Sequence, residues 1–510
     1  IYWMDSPDRG RKRHYAAMLY KHTGMVPTSN GGRTFFEVLP SLAMIRGQVR
    51  DHFSWLHTDV ASYTVYFNLN NPEHEIAKIT PDEIQIMKNG GNEDGIILDG
   101  SRKMKPLKFL PDADLEEADR LLVDLLVGNM TCPQGDRFLI LSWLSCFLLI
   151  DFAGTRPMTR FEGSAGSGKT TASKITSTLL YGEPQHKKAT DAANYTDGSQ
   201  NPLIVLDNIE VKQMTEDLTT FMLTSITGIA KEKRKSGTDS ETITERTKCL
   251  LNTTGIEPLC GELSEILSRS FVINFDLANQ ASDCFLESEV ISAIQQNRDL
   301  IISAIMKRTS HVLAMIRDGA QKQVMRLLHR TMPTHGKRRC NDYLSLMYLM
   351  MLAGSEEHEV TTGLEDLSPL FIEQIHSIND TSQEMARESN PIATALASLF
   401  HAYQNAVELD EKARYGEDDR ANHVVGFIER YQVRFENENT MEPVSAGRLL
   451  AALRRVGREF NLEFEYKKPA QLGRRISNDL DVIRDAGFDI DRQRNAHTKN
   501  FEYRICHKSR

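Results

Sequence analysis

The sequence has 510 residues, of which 40% are hydrophobic and 26% are charged, and this fits a soluble globular protein of two to four domains. The formal net charge is −9, but residues 441–510 hold fifteen Lys and Arg against ten Asp and Glu, so this end carries +5 and the rest −14. An acidic body with a basic carboxyl-terminal end argues against uniform coating by nucleic acid and favours local contacts, although a solvated helix face would account for the same arginines.

Three further features limit the class of protein. The longest apolar run, at 138–150, has 13 residues, which is too short to span a bilayer and predicts a buried helix. The seven cysteines include no CxxC pair, which favours a reduced, cytoplasmic environment without structural zinc. The given sequence does not open with a signal-peptide pattern, and because it begins with Ile1 rather than Met, we expect it to be the end of a longer chain that held a targeting segment or a further domain upstream.

In chain order, the hydrophobic pattern predicts five segments. Helical patterns reach to about residue 60, and short alternating strands follow over 63–79 and 93–100. The last segment has three helices and then two alternating strands over 488–508, which is the order of a winged helix. The segments are an α/β region (1–112), a helical lead-in (113–155), an α/β core (156–280), a helical lid or bundle (281–388) and a winged-helix domain (389–510).

Strands and helices alternate in the core, which indicates a parallel sheet. A strand over 156–163 enters a glycine-rich loop, and a helix over 169–182 follows it. Residues 201–210 contain an apolar stretch that ends at Asp207, which is typical of a buried parallel strand. The core continues with a helix over 213–228, a β-hairpin over 230–248 and strands over 248–255 and 270–275.

The glycine-rich loop has the composition of a phosphate cradle. Its glycines allow successive backbone N–H groups to turn onto phosphate oxygens at the amino terminus of a helix. Lys169 would reach the β- and γ-phosphates and the Thr170 hydroxyl would ligate Mg²⁺, so the predicted cofactors are ATP and Mg²⁺; an ordinary loop is the alternative. The predicted nucleotide-binding residues are Gly163, Ser164, Ala165, Gly166, Ser167, Gly168, Lys169, Thr170 and Thr171, of which the first eight match G-x-x-x-x-G-K-[ST].

Four polar residues near the ends of the other core strands complete the predicted catalytic set with Lys169. Asp207 would hold the Mg²⁺ shell from beside the loop. Glu210 would polarise the attacking water, or would be a surface residue at the start of a helix. Asn252, taken as the last residue of its strand, would orient that water or form a turn. Arg269, just before the last strand, would reach the γ-phosphate of a neighbouring subunit as a trans-acting finger, or form a surface salt bridge.

Together these motifs resemble the AAA+ ATPases, in particular the helicase superfamily III and MCM-like ATPases of phages, plasmids and integrated elements. Many AAA+ enzymes have Asp-Glu where this chain has Asp207-Asn208, which leaves the identity of the water-activating base open. The resemblance covers about residues 60–510 and is strongest over 156–276, where four stretches carry it: the glycine-rich loop, "LIVLDN", "LLNTTGIEPL" and "LSRSFVINF". Elsewhere it rests on pattern rather than on identity.

The resemblance implies a role for the hairpin. In the superfamily III and MCM-like helicases a hairpin at this position lines the pore of a hexameric ring and grips the DNA backbone, and cations there hold phosphates without reading sequence. Lys233, Arg234 and Lys235 are the predicted DNA contacts, and a surface hairpin of mixed charge is the alternative. Arg474 and Arg475 in the winged helix are predicted to contact duplex DNA, although winged helices also dock proteins.

The sequence therefore predicts an ATP hydrolase that acts as a DNA helicase or translocase. By resemblance, it would be a homo-hexameric ring that pulls single-stranded DNA through its pore during replication of a phage or mobile genetic element, in the cytoplasm and without membrane contact. The alternative is a AAA+ switch or remodelling ATPase, for defence or partner loading, with the same nucleotide site but no unwinding. A monomeric phosphotransferase would need an acceptor pocket and no arginine finger.

Overall fold

The structure is a computed structural model, and it describes the chain between residues 16 and 507 with several gaps. The residues inside this range that are not described are 18, 27, 47–51, 102, 186–190, 211–212, 235–241, 257–263, 281–285, 332–339, 355–366, 378–389, 416–421, 460–465 and 496–500.

The amino-terminal region is built around an antiparallel sheet. Its elements are α1 (Asn30–Arg46), β1 (His52–Phe53), β2 (Leu56–Asp59), β3 (Thr64–Asn68), β4 (Glu75–Ile79), β5 (Ile84–Lys88) and β6 (Ile97–Leu98). The sheet has the order β2-β3-β4-β5, and its central strands are the alternating residues predicted over 63–79. The sequence analysis predicted helical structure up to about residue 60, and this prediction is wrong for the residues that form β1 and β2. Trp55 and Leu56 are fully buried against this sheet, and the rings of Trp55 and Phe67 lie 6.1 Å apart.

A helical segment leads from this sheet to the central one. It contains α2 (Leu115–Leu125), α3 (Gln134–Ser145) and a 3₁₀ helix (Cys146–Phe152). Asp114 caps α2, because its carboxylate accepts hydrogen bonds from the backbone N–H groups of Glu116 and Glu117. The apolar run over 138–150 is buried for most of its length, but it changes from α to 3₁₀ geometry at Cys146.

A parallel sheet forms the centre of the molecule, as the alternation of strands and helices predicted. The core elements are β7 (Met158–Glu162), α4 (Lys169–Tyr181), α5 (Asp191–Gln200), β8 (Leu203–Leu206), α6 (Glu216–Thr227), β9 (Ala230–Arg234), β10 (Thr242–Arg246), β11 (Leu250–Thr254), α7 (Ser264–Leu267) and β12 (Ser270–Asn274). The sheet has the order β12-β7-β11-β8 with parallel neighbours, whereas β9 and β10 form the predicted antiparallel hairpin. The carboxyl ends of the parallel strands share one edge, which is where open α/β sheets bind ligands.

Helices follow the sheet, as the pattern predicted. Their bounds are α8 (Glu287–Arg317), α9 (Ala320–Thr331) and α10 (Asn341–Leu352). The buried Arg298 joins α8 to the end of α4, because its guanidinium donates to the carbonyl oxygens of Leu179 at 2.9 Å and Leu180 at 2.6 Å. These are carbonyls in the last turn of α4 that have no partner within the helix, so the contact stabilises the helix terminus.

The carboxyl-terminal region combines helices with an antiparallel sheet. Its elements are α11 (Pro391–Tyr415), α12 (His423–Tyr431), β13 (Phe435–Asn437), β14 (Thr440–Ser445), α13 (Ala446–Glu459), α14 (Pro469–Asn478), α15 (Leu480–Asp485), β15 (Phe488–Arg494) and β16 (Phe501–His507). The sheet order is β13-β14-β16-β15, so the strands predicted over 488–508 are confirmed as β15 and β16. The sequence prediction missed β13 and β14, because one is three residues long and the other contains Pro443, which interrupts a strand pattern.

The buried side chains of the described residues form several hydrophobic clusters, of which two are the largest. The first extends from Trp55 to Ile375 and includes residues of all four segments that precede the predicted winged helix. The second is confined to residues between Ile392 and Ile505. The five predicted segment boundaries remain predictions. Among the helices that the structure describes, none has the length and apolar character needed to cross a membrane.

Candidate nucleotide site

The glycine-rich loop joins β7 to α4 at the carboxyl edge of the central sheet. Gly163, Gly166 and Gly168 have φ angles of 141°, 81° and 98°, in the region that favours glycine. Space is also limiting, because a Cβ atom at Gly163 would lie 2.2 Å from the carbonyl oxygen of Phe275, and one at Gly168 would lie 2.4 Å from the hydroxyl of Thr131. Two of the three glycines are therefore required by both backbone angle and packing.

Lys169 is the first residue of α4, and its side chain turns back onto the loop. The ammonium Nζ donates to the carbonyl oxygens of Gly163 at 2.8 Å and Ser164 at 2.7 Å, and it lies 3.3 Å from the hydroxyl of Ser167. Burial lowers the pKa of Lys169, and the charge of Glu210 opposes that effect. The loop thus carries a positive charge at its centre, beside the amino terminus of a helix, which is an arrangement that binds anions.

Asp207 connects the loop to the neighbouring strands. It follows β8 directly, and its Oδ1 accepts hydrogen bonds from the hydroxyl of Thr170 at 3.2 Å and the hydroxyl of Thr254 at 2.7 Å. The Thr254 hydroxyl in turn accepts a hydrogen bond from the backbone N–H of Asn208 at 2.8 Å. Asn208 has a φ of 55°, so the chain turns sharply immediately after the carboxylate.

The structure places Asn252 deeper than the sequence analysis did. β11 ends at Thr254 and not at Asn252, which is fully buried. Its side-chain oxygen accepts from the Ser173 hydroxyl at 2.8 Å, and its amide donates to the Thr159 hydroxyl at 2.8 Å. Ser173 lies about one helical turn beyond Thr170 along α4, so the Asn252 carboxamide bonds α4 to β7 below the edge where Asp207 lies. Its water-orienting role remains a prediction that these contacts do not favour.

Arg160 and Glu162 in β7 also belong to this edge, and the sequence analysis missed them. The Arg160 side chain is fully buried, its Nε lies 3.1 Å from Glu162 Oε1, and its Nη1 donates to the carbonyl oxygens of Ile209 at 2.8 Å and Thr254 at 2.9 Å. Arg160 therefore joins the end of β11 to the segment that follows β8. Two opposite charges two residues apart within a predicted strand of a parallel sheet were the available signal, because such sheets are buried and buried charges are almost always paired.

Glu210 lies on the same edge of the sheet. Its Oε1 accepts a hydrogen bond from the backbone N–H of Ile256 at 2.9 Å, and its charge raises the pKas of Lys169 and Arg160 against the larger opposing effect of burial. The carboxylate is thus oriented by the segment that follows β11 and acts electrostatically on the loop lysine.

Arg269 lies at the opposite edge of the sheet. It directly precedes β12, whose amino end is the end remote from the glycine-rich loop, and its Nη1 forms an ion pair with Glu265 at 3.0 Å. Five strand residues separate the two edges, which is about 16 Å of extended chain. Arg269 is therefore not part of the nucleotide site within its own chain.

The predicted DNA-contacting residues differ in what the structure says of them. Lys235 and the side chains of Lys233 and Arg234 lie outside the described part of the structure. Arg474 is exposed on α14. Arg475 is engaged within the fold, because its Nε lies 2.6 Å from Oδ2 of Asp479, a carboxylate that is 3% exposed.

Comparison with known proteins shows a likeness of fold. The structure is similar to that of "SCCmec type IV Cch - active helicase", with a TM-score of 0.50 and 11% sequence identity over 96% of this chain and 86% of that chain. The apo structure of the NrS-1 C-terminal region aligns over 97% of this chain and 90% of that chain at 14% identity, with a TM-score of 0.40. No protein-family model and no curated protein matches this chain. The fold is helicase-like.

Proposed function

We propose that this chain is an ATP-driven DNA helicase or translocase that hydrolyses ATP at the loop 163–170. The observation that carries the proposal is the contact between the Thr170 hydroxyl and the Asp207 carboxylate, which lie 3.2 Å apart although 37 residues separate them. A glycine-rich loop that leads from a strand into a helix, with its lysine at the helix start and an acidic residue after the adjacent buried strand, is the combination that P-loop ATPases use.

Mg²⁺ belongs to this proposal, and the residues present fit it. Thr170 and Asp207 offer a hydroxyl and a carboxylate oxygen close together, and Mg²⁺ binds hard oxygen donors of this kind through one or two carboxylates and substrate phosphates. Within the described ranges, no group of three or more His, Cys, Asp or Glu is placed to hold a metal, so the ion would depend on the phosphates and water for its other ligands. When bound, Mg²⁺ neutralises charge on the phosphate oxygens.

The side chains at the sheet edge have separate tasks in this proposal. Lys169 compensates negative charge on the β- and γ-phosphates, and Thr254 holds Asp207 in position. Glu210 polarises the attacking water, and the hydrogen bond from Ile256 supports this by orienting its carboxylate. Many AAA+ enzymes have a glutamate directly after the aspartate, but in this chain Asn208 follows Asp207. The base in this proposal is therefore Glu210, three residues after Asp207.

The DNA part of the proposal rests on the helicase-like fold and on the inserted hairpin. Lys233, Arg234 and Lys235 would hold DNA phosphates in the pore of a homo-hexameric ring. Arg269 would act on the nucleotide of the adjacent subunit, since its position at the edge remote from Lys169 keeps it away from the nucleotide of its own chain. In the carboxyl-terminal region, the exposed Arg474 is the better candidate for contact with duplex DNA, because Asp479 engages Arg475.

The test measures ATP hydrolysis with and without single-stranded DNA, together with unwinding of a forked duplex. We expect Lys169→Ala to abolish hydrolysis, because it removes the phosphate-binding charge. The double variant Arg234→Ala/Lys235→Ala should keep the basal rate but lose DNA stimulation and unwinding. A matched control removes two exposed cations from α9, Lys322→Ala/Arg326→Ala, and should behave as wild type.

Each outcome separates one part of the proposal from the others. Unwinding at the wild-type rate by the hairpin variant would contradict the role of the hairpin. Hydrolysis that depends on Lys169 but is neither stimulated by DNA nor coupled to unwinding would favour a switch or remodelling ATPase. Hydrolysis that does not depend on Lys169 would contradict the nucleotide site itself.

A further inference from the structure

A cavity of about 220 Å³ lies beside the glycine-rich loop. Met130, Ile175 and Val290 give it buried apolar walls, and Gly166, Thr171 and Glu287 border it with polar groups. Pockets that enclose a whole drug-sized ligand have volumes of roughly 300–1,000 Å³. This smaller cavity, which begins at the loop and extends toward α8, has the size and lining for the nucleoside end of a nucleotide whose phosphates lie on the loop.

Glu287 is the acidic residue in this cavity, and its position is well defined. It is the first residue of α8, where the positive end of the helix dipole stabilises a carboxylate. One carboxylate oxygen accepts a hydrogen bond from the Thr171 hydroxyl at 2.5 Å, and the other lies 2.7 Å from the ammonium of Lys174. The side chain is 36% exposed and lines the cavity.

The chemistry of a carboxylate decides which part of a nucleotide it can contact. A carboxylate only accepts hydrogen bonds and repels phosphate, so it suits neither the phosphates nor the apolar face of a base. The ribose hydroxyls are donors and lie between the phosphates and the base, and acidic side chains bind ribose hydroxyls in dinucleotide sites of other folds. Thr171 directly follows Thr170 in α4, so Glu287 lies at the boundary between the phosphate loop and the apolar walls.

We propose that Glu287 binds the ribose hydroxyls of the nucleotide and that the site therefore discriminates against nucleotides whose sugar lacks these hydroxyls. This inference rests on the proposed nucleotide site and adds the sugar to what it recognises. Lys174 and Thr171 hold the carboxylate toward the cavity. The apolar walls formed by Met130, Ile175 and Val290 receive the base.

The experiment compares binding of ADP and 2′,3′-dideoxy-ADP, both with Mg²⁺, to wild type, Glu287→Ala and Glu287→Gln by calorimetry. Wild type should bind ADP about tenfold more tightly than 2′,3′-dideoxy-ADP, since the loss of one hydrogen bond to a charged group lowers affinity by about tenfold or more. In Glu287→Ala the two affinities should agree within about twofold, and Glu287→Gln should be intermediate. The affinity ratio of ADP to 2′,3′-dideoxy-ADP is compared between wild type and variant. This comparison isolates the contact with ribose, because changes at the phosphates or in Lys174 affect both ligands equally.

Glu289→Gln is the matched control, because Glu289 lies in the same helical turn, is exposed, and accepts a hydrogen bond from the Leu286 N–H that glutamine can also accept. It should retain the tenfold preference. An unchanged preference in Glu287→Ala, or an equal loss of affinity for both ligands, would overturn the inference while Lys169-dependent ADP binding remained. If wild type bound neither ligand, the nucleotide site itself would be contradicted.

Discussion

Thr254 shows how a single hydroxyl organises the candidate site. It is 2% exposed, donates to Asp207 and accepts from the backbone N–H of Asn208. Its neighbour Thr253 is also buried, yet its hydroxyl has no hydrogen-bond partner among the described residues. Adjacent residues of a strand face opposite sides, so only one of the two threonines reaches the sheet edge above α4.

The variant Thr254→Val should lower kcat for ATP hydrolysis by roughly 10- to 100-fold, because Asp207 loses the donor that orients it toward Thr170. Thr254→Ser should retain most activity, since it keeps the hydroxyl. The control Thr253→Val removes a hydroxyl without a partner and should leave kcat unchanged. Steady-state ATP hydrolysis measures all three variants, and equal effects of the two valine substitutions would contradict this account.

Among the elements, the β-hairpin of β9 and β10 is tied to the core at its base. Lys248, two residues after β10, lies 2.8 Å from Oδ2 of Asp151, and the buried Arg156 lies 3.3 Å from Oδ1. Arg156 also donates to the carbonyl oxygen of Thr247 at 2.7 Å. Although burial opposes ionisation, Lys248 and Arg156 lower the pKa of Asp151, so the carboxylate is charged and links the hairpin to the 3₁₀ helix before β7.

Asp151→Asn should lower the free energy of unfolding by about 3 kcal/mol, because it leaves the buried Arg156 without a compensating charge. Asp82→Asn is the control: it breaks an ion pair with Arg317 in which the two side chains are 77% and 41% exposed, and exposed pairs contribute less than about 1 kcal/mol. Urea denaturation gives both values. A loss at Asp151 no larger than that at Asp82 would show that the hairpin base is held by other contacts.

A carboxylate in the first turn of α3 makes the stability of the fold depend on pH. Burial raises the pKa of Asp136 to about 6, above its value in the unfolded chain, so this carboxylate destabilises the fold above pH 6 and the penalty disappears as the pH falls below about 4. Asp136→Asn should therefore raise the free energy of unfolding by roughly 1–3 kcal/mol at pH 8, with no difference near pH 4. Urea denaturation of both proteins from about pH 4 to pH 8 measures the difference in their free energies of unfolding. A difference that is the same at every pH would contradict this account.

At the scale of the whole molecule, the two edges of the central sheet have different partners. The edge with Lys169 and Asp207 binds the nucleotide in our proposal, and the remote edge presents Arg269, which is paired with the exposed Glu265. In our proposal Arg269 acts on the nucleotide site of another copy, because within its own chain it lies at the edge remote from that site. The assembly of several copies is thus what would bring the full set of catalytic groups together.

Mixing Arg269→Ala subunits with Lys169→Ala subunits tests this arrangement. Each variant alone should be inactive, but in mixed assemblies some interfaces combine an intact Lys169 with an intact Arg269, so partial ATP hydrolysis should return. Co-assembly is verified by co-purification of differently tagged subunits. If verified mixed assemblies show no recovery, Arg269 does not act between subunits.

The sequence by itself determined the elements that depend on local properties. The loop 163–170 was predictable because glycine is required for its φ angles, and β3, β4, β7, β8 and the hairpin followed from strand periodicity and turn residues. The parallel sheet followed from alternation of strands and helices. These features need no knowledge of which distant residues meet.

Only the tertiary structure decided which polar side chains meet at the sheet edge. The register of β8 with β11 brings Thr254, and not Asn252, beside Asp207, and a shift of two residues along a strand moves a side chain by about 7 Å. Glu287 comes from a helix 116 residues beyond Thr171, and the cavity beside the loop exists because α8 packs against α4. Such contacts depend on long-range register and packing, which local pattern does not encode.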